Sequence, residues 1–205
     1  MFESSPLGVA AFDFDGTLYA RHSIIPFLAR TFGWRATVTR LFVAALTSRG
    51  EASLRDRMKL MAIGRLCAGM PRTRLEECGQ AYVAVLVDRL RPQLVDRLRW
   101  HQEQGHATVI VSAALGAYLR PLATRLGIDD VLAFELDCDD TGVLTGQVVG
   151  GLNTQGRQKA VLLRAWIDQR WPDQQVTVWA YGDSSGDREL LAMADYPTWV
   201  GRSAA

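Results

Sequence analysis

The chain has 205 residues, of which 48% are hydrophobic and 22% charged, and a formal net charge of +1. That composition is ordinary for one soluble globular domain, or one domain carrying an insertion, and its near-neutral balance removes the global electrostatic case for a nucleic-acid partner. Three scattered cysteines (Cys67, Cys78, Cys138) argue against a disulfide framework or a zinc site and fit a reducing cytoplasm. No apolar run is long enough to span a bilayer, and the opening MFESSPLG lacks the basic stretch of a signal peptide.

In chain order, Val9–Phe14 reads as a buried strand that runs into Asp13, Asp15, Gly16 and Thr17. From about Ser23 to Arg91 the pattern is helical throughout. IIPFLARTF, ATVTRLFVAAL, ASLRDRMKLMAIGRLC and RTRLEECGQAYVAVLVDRL each place apolar residues three and four apart. Strands follow at Ala107–Ser112, Val131–Phe134, Val176–Tyr181 and Tyr196–Val200, rich in Val, Ile, Phe and Trp. Helices lie between them, one across AALGAYLRPLATRLGI with Pro121 as a kink and one over Lys159–Trp171 stopped by Pro172; Gly142–Gly156 reads as a hairpin or flap. This alternation predicts an α/β fold, a Rossmann-like doubly wound parallel sheet core with a small all-helical insert after the first strand. The core covers residues 1–20 and 93–205, the insert residues 21–92.

In an open parallel sheet, ligands bind beyond the carboxyl ends of the strands. There the sequence places Asp13 and Asp15, then Ser112, then Asp183 and Asp187 in GDSSGD, with Lys159 at a helix start. Two like charges as close as Asp13 and Asp15 repel unless a cation or a shared proton relieves them. Clustered carboxylates suit Mg²⁺, which takes one or two of them and keeps its other positions for water and phosphate. Lys159 supplies charge to a phosphate dianion. Ser112 and the backbone N–H groups of Ala113 and Ala114 at a helix start supply donors. An aspartate beside a metal serves as a nucleophile on phosphorus, and a second one protonates the leaving alcohol.

These residues resemble the haloacid dehalogenase superfamily of Mg²⁺-dependent phosphatases over nearly the whole chain. DFDGTL is similar to its first motif, VIVSA to the second, Lys159 in GRQKAVLL to the third and GDSSGD to the fourth. The resemblance implies Asp13 as nucleophile and Asp15 as acid/base, with Mg²⁺ held by Asp13, the Asp15 carbonyl and Asp183. Asp187, Gly16 and Thr17 support that set. It also implies that the helical insert is a type I cap of the phosphoserine-phosphatase-like IB branch. His22 stands where phosphoserine phosphatases carry a glutamate that holds the substrate ammonium, and Gly186 where they carry an asparagine.

Blander readings stand beside these. Asp187 also suits the first turn of the helix over Arg188–Met193. His22 is either a cleft-lining contact or an exposed loop residue. Arg57 and Lys59 either read an anionic substrate from the insert or lie on a solvated helix face; Asn153 either touches substrate or stabilises a turn. His101 and His106 are expected at the surface, and the six tryptophans in core and insert packing. The predicted activity is phosphomonoester hydrolysis through a phosphoaspartyl intermediate on a small phosphorylated metabolite in the cytoplasm. The alternatives are a lipid-phosphate phosphatase, a phosphotransferase and a phospholigand-binding protein without turnover. Trp34 in WRATVTRLFVAALTSR raises a helix resting on a membrane surface as the weaker option. Oligomeric state is not readable.

Overall fold

Strand β1 (Gly8–Phe12) is buried along its whole length, and its alternation divides the interior. Ala10 and Phe12 face one apolar cluster, while Val9 and Ala11 face another. The structure, a computed structural model, describes residues 7–39, 60, 62–149 and 154–201. Around β1 it builds a five-stranded sheet from β2 (Ala107–Leu115), β3 (Asp130–Phe134), β6 (Thr177–Gly182) and β7 (Tyr196–Trp199), in the order β3-β2-β1-β6-β7. Every pairing is parallel. Both faces of the central strands are covered, which is why their sequences are apolar runs without alternation. All five predicted strands are present, and the α/β fold class holds.

The first cluster lies under α1 (Ile24–Phe32), α2 (Arg72–Val87), α3 (Pro92–Glu103) and α4 (Gly116–Leu126), through residues such as Phe27, Tyr82, Leu98 and Leu122. The second lies under α5 (Arg157–Arg170) and α6 (Arg188–Ala192), through Leu163, Ile167, Leu190 and Leu191. Local chemistry sets several boundaries. Pro92 opens α3, where its missing N–H costs nothing. Gly127 closes α4 in the left-handed conformation, donating its N–H back to Ala123 and Thr124. Pro121 stands inside α4, so the Ala117 carbonyl loses its helical partner. Gly79 of α2 packs against that carbonyl, so close that a Cβ would collide with it.

Three expectations are corrected. The hairpin pairs β4 (Leu136–Cys138) with β5 (Leu144–Val148) and so begins earlier than Gly142. Its turn is tied by Asp139, which accepts the N–H groups of Thr141 and Val143. The tryptophans are not uniformly buried. Trp166 is in the second cluster, but Trp34 is 63% exposed, and Trp100 and Trp199 are exposed too. His101 is fully buried, because α3 carries it onto the sheet. Its Nε2 is 2.8 Å from the Tyr181 hydroxyl and its Nδ1 is 2.8 Å from His106 Nδ1; His106 is itself half-buried and stacks on Trp179. Much of WRATVTRLFVAALTSR falls outside the described residues. No helix among those described is long and apolar enough to cross a membrane.

Burial, with His106 and Arg97 adding to it, pulls His101 from its ordinary 6.5 down to about 4. Between those two pH values the unfolded chain binds a proton that the folded chain refuses, so stability rises with pH across the window and is lost as pH falls through it. We expect acidification from pH 6.5 to 4 to cost at most about 3 kcal/mol through this imidazole. Chemical denaturation across that range should show a shallower pH slope in His101→Gln; an unchanged slope contradicts the assignment.

Candidate active site

The sheet register brings distant carboxylates to one edge. Phe12 at the end of β1 pairs with Ile110 of β2 and Tyr181 of β6. Asp13 and Asp183 therefore follow the ends of their strands at nearly the height of Ser112 within β2, and the Asp13 N–H donates to the Tyr181 carbonyl at 2.9 Å. The chain winds outward from β1 through β2 and β3, then returns to its other side as β6 and β7. The crevice lies at that reversal, where open α/β sheets hold ligands.

Lys159 enters from the first turn of α5. Its Nζ lies 2.5 Å from Asp13 Oδ1 and 2.5 Å from Asp187 Oδ1, with all three side chains buried. Asp187 is engaged at both oxygens, since its Oδ2 accepts the Ser184 N–H at 3.0 Å, the Ser184 hydroxyl at 2.8 Å and the Asp183 N–H at 3.3 Å. It thus ties the loop after β6 to Lys159, and the Gly156 N–H, donating to the Gly186 carbonyl, adds a second tie. Asp13, Asp183 and Asp187 each bring a carboxylate oxygen within 4.8 Å of the others.

Among the described residues, three carboxylates thus gather about one ammonium. Burial pushes the Asp13 carboxyl up to about 6, with Lys159 pulling it down and Asp187 pushing it further up. Burial also raises Asp187, but Lys159 and the Ser184 donors outweigh it and hold that carboxyl below its usual range. Burial works against the Lys159 ammonium, yet Asp13 and Asp187 keep it above its ordinary value. The excess of hard oxygen donors over cations suits a divalent cation such as Mg²⁺. Asp187, spent on Lys159 and the loop, suits orientation better than ligation, which leaves Asp13 and Asp183 as the side chains fit to hold the ion.

The remaining predicted residues fall as follows. Asp15 lies on the same loop as Asp13, part-buried, its carboxylate accepting the Ser23 N–H. Thr17 is fully buried and donates to Asp183 Oδ1 at 3.2 Å. Ser112, Ala113, Ala114 and His22 line the cleft. His22 stands at its rim, largely exposed, with Nδ1 4.0 Å from Asp15 Oδ2. The placement of Ala113 and Ala114 at a helix start is corrected. β2 runs on to Leu115 with a register shift after Val111, and the Ala114 N–H turns to the Ser112 hydroxyl at 3.2 Å. Arg57, Lys59 and Asn153 lie outside the described residues. The sequence reading missed Ile24, Leu60, Gln155 and Ser184, which also line this cleft of about 180 Å³. Ser184, the first serine of GDSSGD, at least stands inside a motif; the other three carry no motif signal.

Two wider grooves, of about 600 and 630 Å³, flank α4 away from these carboxylates. In the first, Arg120 is held by Glu135 at 2.6 Å.

Gly16 explains why the first motif needs a glycine. Its φ is +90°, and a Cβ there would collide with the Asp183 carboxylate. Gly16→Ala should therefore leave the fold standing by circular dichroism and lower turnover of an aryl phosphate by more than about tenfold through displacement of Asp183. Retained turnover contradicts the packing argument.

Comparison with known proteins agrees with this architecture. The chain is 34% identical over 190 residues to Protein CicA of Caulobacter vibrioides, an alignment spanning 91% of this chain and 83% of that protein. A solved structure of a protein of unknown function from Bordetella pertussis Tohama I superposes with a TM-score of 0.75 at 23% identity, covering 92% of this chain and 87% of the other. A phospho-aspartyl intermediate analogue of phosphoserine phosphatase superposes with a TM-score of 0.60 at 19% identity, covering 93% and 84%; both likenesses concern the fold. The haloacid dehalogenase-like hydrolase family model matches residues 10–192, nearly all of the core and every carboxylate of the cleft, and the chain belongs to that family.

Proposed function

We propose that the protein is a Mg²⁺-dependent phosphomonoester hydrolase that works through a phosphoaspartyl intermediate on a small phosphorylated metabolite of the cytoplasm. The observation that carries this reading is the buried Lys159 ammonium, 2.5 Å from both Asp13 and Asp187, with Asp183 beside them. Among the described residues, this one ammonium stands amid three acids and does not balance them. It can, with a dication, receive a phosphate.

In this reading an oxygen of the Asp13 carboxylate attacks phosphorus, and the bond from phosphorus to the ester oxygen breaks. Asp15 gives its proton to the departing oxygen. Asp15 then takes a proton from water, whose oxygen attacks the phosphoaspartyl phosphorus, releasing inorganic phosphate and restoring Asp13. Lys159, Ser112 and the Ala113 N–H face the transferring group and offset its charge, while the Ala114 N–H, donating to the Ser112 hydroxyl, orients that hydroxyl. Bound at Asp13, Asp183 and the Asp15 carbonyl, Mg²⁺ supplies further neutralisation of phosphoryl charge. Asp187 orients Lys159 and the loop that carries Asp183. Residues 1–20 and 93–205 form the catalytic core in this proposal. Residues 21–92 are its type I helical cap, in the manner of the phosphoserine-phosphatase-like IB branch, bringing Ile24 and Leu60 over the cleft beside His22. Cap residues Arg57 and Lys59, and Asn153 after the hairpin, are proposed contacts for the rest of the substrate.

Rapid acid quench during turnover of p-nitrophenyl phosphate, followed by peptide mapping, should recover a phosphoryl group on the peptide that holds Asp13. Asp13→Asn should abolish both the adduct and turnover while remaining folded. Full turnover in that variant, or an adduct elsewhere, overturns the reading.

A further inference from the structure

Below Asp15 lies a buried hydrogen-bonded network that the steps above do not use. The Ser23 N–H donates to both carboxylate oxygens of Asp15, at 3.0 and 3.1 Å. Ser23 is fully buried. Its hydroxyl is 2.7 Å from the Tyr118 hydroxyl, and its carbonyl accepts the Tyr82 hydroxyl at 3.2 Å. The Tyr118 oxygen also accepts the N–H of Leu115, the last residue of the strand that carries Ser112. Burial keeps both phenols well above their ordinary pKa, so both stay neutral.

Two features set this apart from ordinary satisfaction of core polar groups. A serine at the N-terminal boundary of a helix ordinarily turns its oxygen back to cap the first turn. Ser23 holds that position before α1 and makes no such bond; its hydroxyl reaches Tyr118 instead. The contacts also converge on one peptide. Tyr82 comes from α2, Tyr118 from α4, and both grip Ser23, whose N–H is fixed on Asp15. The two phenol rings and Phe27 pack edge to face or tilted at 5.0 to 5.7 Å, which stiffens the clamp.

We propose that Ser23, clamped by Tyr118 and Tyr82, is a positioning residue for Asp15, holding that carboxyl at the height where it delivers a proton to the leaving oxygen. The proposal rests on the reading of Asp15 as the general acid. Its consequence is selective in kcat/KM, which reports formation of the phosphoaspartyl group and not its later hydrolysis, because in that first step a misplaced acid slows only esters whose leaving oxygen needs the proton. Phenolate needs it to depart from phosphorus; p-nitrophenolate, the anion of a far stronger acid, leaves without it.

The test compares kcat/KM for phenyl phosphate and p-nitrophenyl phosphate, with Mg²⁺ present, in the whole chain and in Ser23→Ala, Tyr118→Phe, Tyr82→Phe and Asp15→Asn. Ser23→Ala and Tyr118→Phe break the same bond from opposite ends. Each should lower the phenyl phosphate value about tenfold and the p-nitrophenyl phosphate value by less than about twofold, with Tyr82→Phe smaller in the same direction. A merely structural role lowers the active fraction and so reduces both substrates by one factor. Equal losses in Ser23→Ala and Tyr118→Phe, or no loss in either, while Asp15→Asn is strongly selective, overturn the clamp and leave the function intact. An unselective Asp15→Asn overturns the acid role itself, and the clamp with it.

Discussion

The structure depends on one ammonium group. Lys159 is driven into the sheet edge between Asp13 and Asp187, where none of the three could stay charged and buried alone. Desolvation of an ion costs several kcal/mol even after relaxation, and removing one partner of a buried pair costs about 3–5 kcal/mol. The two carboxylates repay that cost only because they are fixed, Asp13 by the end of β1 and Asp187 by three donors from its own loop. Lys159 is thus a structural tie between the first strand, the loop after β6 and the start of α5. The same tie aims its charge at the crevice. Structure and chemistry share one contact, and among the described residues the third acid, Asp183, is what that contact leaves unbalanced.

The register of the parallel sheet decides which acids meet. A slip of one residue between β1 and β6 would turn the side chains of one strand to the opposite face and break the pairing of Phe12 with Tyr181. That register is held by apolar packing on both faces, so the cores under α2 and under α5 each bear on the distance between Asp13 and Asp183. The helical interval takes part in the same way. Its residues Phe27 and Tyr82 belong to the same apolar cluster as Phe12 and Ile110, and Ser23 joins that packing to Asp15.

Much of this was legible in the sequence because the relevant signals are local. Five apolar runs bounded by polar residues gave the strands, and acids after Phe12 and Gly182 gave the edge where ligands bind. What was not legible depends on contacts between distant segments. His101 looks like a surface residue beside Gly105 until α3 lays it against Tyr181. Ser112 ends its apolar run, but nothing local reveals that the strand continues to Leu115 and turns the Ala114 N–H inward. Trp34 has the composition of a core residue, yet lies exposed beyond the turn at Gly33. Ser23, Tyr82 and Tyr118 carry no motif at all. Their meeting rests on separations of 59 and 95 residues that only the fold closes. Asp187 read as a helix-start acid, and it is also the partner that Lys159 requires.

The central claim is that this unbalanced cluster is built to take a divalent cation before substrate arrives. Titration calorimetry of Mg²⁺ into the protein and into Asp183→Asn tests it most directly. The account predicts one ion per chain in the native sequence, with affinity weakened by more than about tenfold in Asp183→Asn while its circular dichroism is unchanged. Absence of binding to the native chain, or equal affinity in both proteins, would contradict it.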